Sequence, residues 1–202
     1  MKFIFLATQT KIYKLSNFFT YMIDLLATIP LLLINSLLFG FFTKFADLLD
    51  EHGLKMFKGA DILFGIIWGI FGTIVIIFSP LLATFYLAIL INWIIRGNID
   101  YLNHRIATAI ILVSVFFSGI VANLDLILFG VATILFTGIG MLIDYKIIKR
   151  NFLTNNNLFI FIALAIMIYF NTNYWIVFAS YLLNSIGYQS VKSWGKKNLK
   201  NY

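Results

Sequence analysis

The chain contains no cysteine, which excludes disulfides, thiolate metal sites and cysteine nucleophiles. Proline is nearly missing, with 2 residues in 202, and only 11% of residues are charged. Soluble proteins carry about a quarter charged residues, and a sequence this poor in polar residues has no material for a linker, a disordered tail or an attached soluble domain. What fills the chain is apolar: 61% hydrophobic residues and a mean hydropathy of +0.95. That composition predicts an all-α, polytopic transmembrane helix bundle forming a single integral membrane domain over residues 1–202. The opening MKFIFLATQTKIYK has too short an apolar stretch after its lysine for a cleavable signal peptide.

Acidic residues are the scarcer charge, leaving a net charge of +7. The basic residues stand at the ends of apolar runs and form no basic face, which argues against nucleic acid. They fit anchoring in a lipid bilayer, with contacts to anionic headgroups.

Apolar runs cover 18–42, 60–78, 81–95, 106–121, 124–143 and 158–188, the last divided by Asn171, Thr172 and Asn173 into a helical hairpin. At roughly 20 residues per crossing, they predict six to seven spans with short loops. Pro30 leaves the first run either a single crossing or a re-entrant segment. Loops 43–59, 96–105 and 144–157 and the C-terminal tail hold twelve of the 15 Lys and Arg, whereas the turns at 79–80, 122–123 and 171–173 hold none. The positive-inside rule places those basic loops and the C-terminus on the cytoplasmic face of the cell membrane. Gly65 and Gly69, at GxxxG spacing, read as helix-packing residues.

The polar residues concentrate in KFADLLDEHGLKMFKGAD (44–61) and RGNIDYLNHR (96–105). Residues 43–52 read as a short amphipathic helix along the interface, ended by Gly53. In a helix Asp47 shares a face with Asp50 and Glu51, and Asp100 with Asn103 and His104. Two such faces, closing on each other, offer Asp47, Asp50, Asp100 and His104 as ligands to one divalent cation, magnesium or manganese. Lys55, Lys58, Arg96 and Arg105 lie beside them as candidate phosphate ligands. The same residues also read as a solvated, salt-bridged loop with no cofactor. Asp24, inside an apolar run, is a candidate proton or cation site.

Ala46-Asp47-Leu48-Leu49-Asp50 resembles the opening of the aspartate-rich motif of intramembrane prenyltransferases, Asn-Asp-x-x-Asp-x-x-x-Asp. Ala46 replaces the Asn and Leu54 the last Asp, and the likeness identifies no family. Without a complete catalytic motif the leading reading is a non-catalytic membrane scaffold or assembly subunit. The alternatives are a lipid-handling, membrane-embedded transferase with an acidic and histidine cation site at the cytoplasmic face, and a small-solute or ion transporter using Asp24.

Overall fold

A computed structural model describes residues 29–148 and 158–199. Among the described residues the chain forms seven α-helices: α1 (Ile29–Asp50), α2 (Ala60–Ile77), α3 (Pro80–Ile95), α4 (Leu102–Ser118), α5 (Leu126–Asp144), α6 (Leu158–Phe170) and α7 (Trp175–Asn198). Asp24 and most of the first half of the 18–42 run lie outside the described residues.

Local sequence explains most of the boundaries. α1 ends before Gly53, whose positive φ turns the chain so that the Leu54 N–H reaches back to the Leu48 carbonyl (2.9 Å). Ser79 caps α3 by accepting from the Leu82 N–H, with Pro80 in the first turn, where no amide hydrogen is needed. α3 closes with a Schellman motif around Gly97: the Asn98 N–H bonds the Trp93 carbonyl (3.0 Å) and the Gly97 N–H bonds the Ile94 carbonyl (3.1 Å). Asp125 is the N-cap of α5, accepting from the Leu128 N–H at 2.9 Å. Asn171 and the short 3-10 turn after it separate α6 from α7 as a hairpin.

Among the described residues three helices are long and apolar enough to cross a membrane: α1, α2 and α5. The chain is therefore an integral, multi-pass membrane protein, but the described residues hold three such helices and not the six to seven spans expected from its apolar runs. The helices built from the other runs are too short or too polar. α3 has 16 residues, α4 17 and α6 13, and 16 residues reach about 24 Å against a hydrocarbon core of about 30 Å. α7 has 24 residues, yet Gln189, Lys192, Lys196 and Lys197 occupy its C-terminal half. α3 shows why hydropathy misleads here. Every residue from Leu82 to Leu90 is buried, so the helix is apolar all round because other helices enclose it.

A second expectation also changes. Residues 43–50 are not a separate interfacial helix; they continue α1 without a break. Ser36, Gly40, Thr43, Lys44 and Asp47 recur at helical spacing and are all buried, so the polar side of this segment faces the bundle interior. α1 packs chiefly on α7 and α2, α2 on α4, and α3 on α5. Gly65 and Gly69 do serve packing: a Cβ on Gly65 would come within 2.8 Å of the Asn103 carbonyl, and one on Gly69 within 3.1 Å of the Ala107 Cα.

Candidate functional site

The continuation of α1 brings Asp47 to the beginning of α4. Asn103, fully buried, donates from its side-chain amide to the Ala46 carbonyl of α1 (2.8 Å), while its side-chain oxygen accepts from the His104 N–H. This clamp sets His104 against Asp47, with Nε2 at 3.0 Å from Oδ1. The other ring nitrogen, Nδ1, faces the Asn98 carbonyl at 3.2 Å, and that carbonyl is placed by the Schellman turn at Gly97. Both ring nitrogens thus face acceptors, an arrangement that favours the protonated imidazole, which alone can donate on both sides, to Asp47 and to Asn98.

Lys44 completes the array. Its ammonium is buried, donates to Asp47 Oδ2 at 3.2 Å and lies 3.4 Å from His52 Nε2, with the Tyr188 ring centroid 5.5 Å away. Each oxygen of Asp47 therefore faces a side-chain nitrogen, Lys44 Nζ at Oδ2 and His104 Nε2 at Oδ1. Glu51, one turn beyond Asp47 and near the surface, offers a third ligand: single atoms of Asp47, Glu51 and His104 lie within 4.8 Å of one another. Partial burial, then the charge of Asp47, raises the Glu51 carboxyl above its ordinary range. At His104 burial pulls the imidazole down, but the hydrogen bond and charge of Asp47 and the charge of Glu51 outweigh it, and the net shift is upward.

The cluster opens on a cavity of about 590 Å³. Asp47, Glu51, His104, Arg96, Asp144 and Lys192 line its charged end, and Phe39, Ile76, Ile111, Phe136 and Ile160 line its apolar part. Arg96 grips Asp144 with two parallel hydrogen bonds, Nε to Oδ2 at 2.8 Å and Nη2 to Oδ1 at 2.9 Å. Gly140 makes this reach possible, since a Cβ there would lie 2.6 Å from the guanidinium.

Of the residues singled out in the sequence as cation ligands, Asp47 and His104 come together. Asp100 lies 3.7 Å from His104 Nδ1, on the opposite side of the ring from Asp47, and is largely exposed. Asp50 is half-buried outside the group, and Glu51 takes the place beside Asp47. Of the candidate phosphate ligands only Arg96 lines the cavity; Lys55, Lys58 and Arg105 are exposed and do not. Sequence reasoning left Lys44 in a solvated, salt-bridged loop and noted Asn103 only as sharing a helical face with Asp100 and His104; it gave no role to Trp68 or to the polar side of α7. That last feature is legible in retrospect: Tyr181, Asn184, Ser185, Tyr188, Gln189 and Lys192 all line the cavity, at the spacing of one helical face.

These features define an integral, multi-pass membrane protein with a charged cavity inside its helix bundle. Comparison with protein families, with curated proteins and with solved structures finds no match.

Proposed function

We propose that this is a lipid-handling, membrane-embedded transferase. An amphiphile enters the cavity with its head at Asp47, Glu51 and His104 and its chain along Phe39, Ile76, Ile111, Phe136 and Ile160. The observation that carries the reading is the cavity itself: one continuous space joins an ionisable cluster to an apolar lining. A scaffold or assembly subunit has no use for such a space, since an unfilled volume only removes packing contacts.

The cluster supplies proton transfer through the Asp47–His104 pair, and it can hold a divalent cation, magnesium or manganese, when His104 gives up its Nε2 proton. The Asn98 carbonyl keeps the proton on Nδ1, and loss of the other leaves the Nε2 lone pair directed at Asp47, the arrangement of a metal-ligating histidine. Cation binding then competes with the Lys44 ammonium and with the His104 proton. On this reading the charged end of the cavity lies at the cytoplasmic face, where the basic loops gather.

The test is manganese titration calorimetry on the full-length protein in phosphatidylcholine nanodiscs, over slightly acid to slightly alkaline pH. We expect saturable binding that tightens as pH rises and is lost in Glu51→Gln, a near-surface change that leaves the fold intact. Absence of binding to the folded protein at any pH removes the cation from the mechanism. In parallel, Ser185→Trp, which fills the cavity from α7, should abolish retention of lipid through native mass spectrometry. Equal retention by the variant and the parent would overturn the lipid-handling reading.

A further inference from the structure

The charged end of the cavity holds little spare positive charge for an anionic head. Arg96 is matched by Asp144, Lys192 is not free either, and the remaining candidate phosphate ligands lie outside the lining. The groups that lack partners there are neutral. Among the described residues, Trp68 Nε1 and Asn92 Oδ1 are buried without a hydrogen bond, and both residues line the cavity. Their residues are 2% and 6% exposed, and an unpaired buried polar atom is costly.

Tyr86, also in the lining, adds a directional constraint. Ser36 gives its one hydroxyl proton to the Leu32 carbonyl (2.8 Å), so it accepts in its 2.7 Å contact with Ser180. Ser180 thereby uses its own proton, and in the 2.9 Å contact with Tyr86 the phenol is the donor. Tyr86 can meet a ligand only as an acceptor. The three groups therefore offer one indole donor, Trp68 Nε1, and two oxygen acceptors, Asn92 Oδ1 and the Tyr86 hydroxyl. A phosphate or carboxylate can take a bond from Trp68 or from the Asn92 side-chain NH2, but it only accepts and cannot satisfy Asn92 Oδ1 or Tyr86. An ammonium only donates and cannot satisfy Trp68. A hydroxyl does both. The rings of Trp93, Tyr181 and Tyr188 border the same space and give flat apolar faces for the C–H side of a polyol.

Resting on the lipid-handling reading above, we propose that the head this cavity recognises is a polyol, the hydroxyls of a sugar or of glycerol on a lipid chain. Asn92 and Tyr86 accept from these hydroxyls and Trp68 donates to one of them.

The full-length protein in phosphatidylcholine nanodiscs is titrated with decyl glucoside, monodecanoylglycerol and decyl phosphate, and bound amphiphile per chain is counted by native mass spectrometry. At least one polyol amphiphile should bind about tenfold tighter than the phosphate, and Asn92→Leu and Trp68→Phe should each weaken it about tenfold, a loss near 1.4 kcal/mol. Decyl phosphate binding should not change in either variant. Thermal stability should hold in Asn92→Leu, whose lost Oδ1 has no protein partner, and fall modestly in Trp68→Phe, where the smaller ring gives up packing against Trp93 and His104. Preference for the glucoside or for the glycerol ester identifies which polyol is meant. Tighter binding of decyl phosphate, or polyol binding untouched by both variants, overturns this inference and leaves the lipid-handling reading standing. Binding of none of the three overturns both.

Discussion

One face of α7 is pressed onto α1, and the other borders open space. On the first, a Cβ added to Gly187 would fall on the Leu37 carbonyl of α1, and one added to Gly40 would fall on the Asn184 carbonyl of α7. Small residues let the two backbones touch, and Ser36 and Ser180 hydrogen-bond across the contact at 2.7 Å. On the second face, Ser185, Tyr188, Gln189 and Lys192 project toward the cavity. A helix that meets one neighbour through glycine and serine is contributing rigidity. Where it turns larger polar groups toward a void, the fold has left hydrogen-bonding capacity for something other than itself.

The seam gives the sharpest way to break that contrast. Gly40→Ala or Gly187→Ala should destabilise the bundle by about 3 kcal/mol or more, since backbone cannot yield to the new methyl. Gly130→Ala and Gly138→Ala, where a Cβ meets open space, should be neutral or stabilising by up to about 1 kcal/mol. Thermal unfolding in nanodiscs measures all four, and equal effects at the two sets of sites would remove the seam's special status.

Next in size is the buried ion array at the cavity's charged end. Asp47→Asn leaves the Lys44 ammonium buried without its carboxylate and should cost about 3–5 kcal/mol. Asp144→Asn, at the half-exposed Arg96 pair, should cost less than about 1 kcal/mol. The same unfolding assay ranks them, and an Asp47→Asn variant as stable as Asp144→Asn would contradict the burial assigned to Lys44 and Asp47.

The smallest expected effect is on pH dependence. His104 is raised above its ordinary 6.5, so the folded state holds that proton more tightly than the unfolded chain. The resulting stability is fully present below pH 6.5 and is lost as pH rises through the folded value. Glu51, raised above its ordinary 4.5, acts in the same direction at lower pH, because the folded state again retains the extra proton. The melting temperature should fall as pH rises through both windows, and His104→Gln should flatten the upper part of the fall. A melting temperature that rises with pH in the parent protein would rule out the imidazolium.

Much of the helix layout is readable from local chemistry alone. Ser79-Pro80, Gly97, Gly119 and Asn171 mark boundaries through effects that act within a turn, and the structure places helix ends at each. The Asp47–Asp50–Glu51 and Asp100–His104 stretches also stand out by composition. Which of these acids meet is another matter. It is set by Asn103 reaching across to the Ala46 carbonyl, a contact between residues far apart in the chain that leaves no periodic trace. Lys44 read as part of a solvated loop because its i,i+3 spacing to Asp47 is the same whether the face is wet or buried.

Amino-acid composition, through the cost of burying polar backbone and charge in hydrocarbon, was enough to make this a helical membrane protein without cysteine chemistry. It also located the charged stretches between apolar runs. Hydropathy cannot tell a helix surrounded by lipid from one surrounded by other helices, because both environments exclude water. Only the tertiary structure separated the three helices long and apolar enough to cross from the enclosed α3. Only it turned the polar side of α1 inward, so that Asp47, His104 and Lys44 share one buried site beside a cavity.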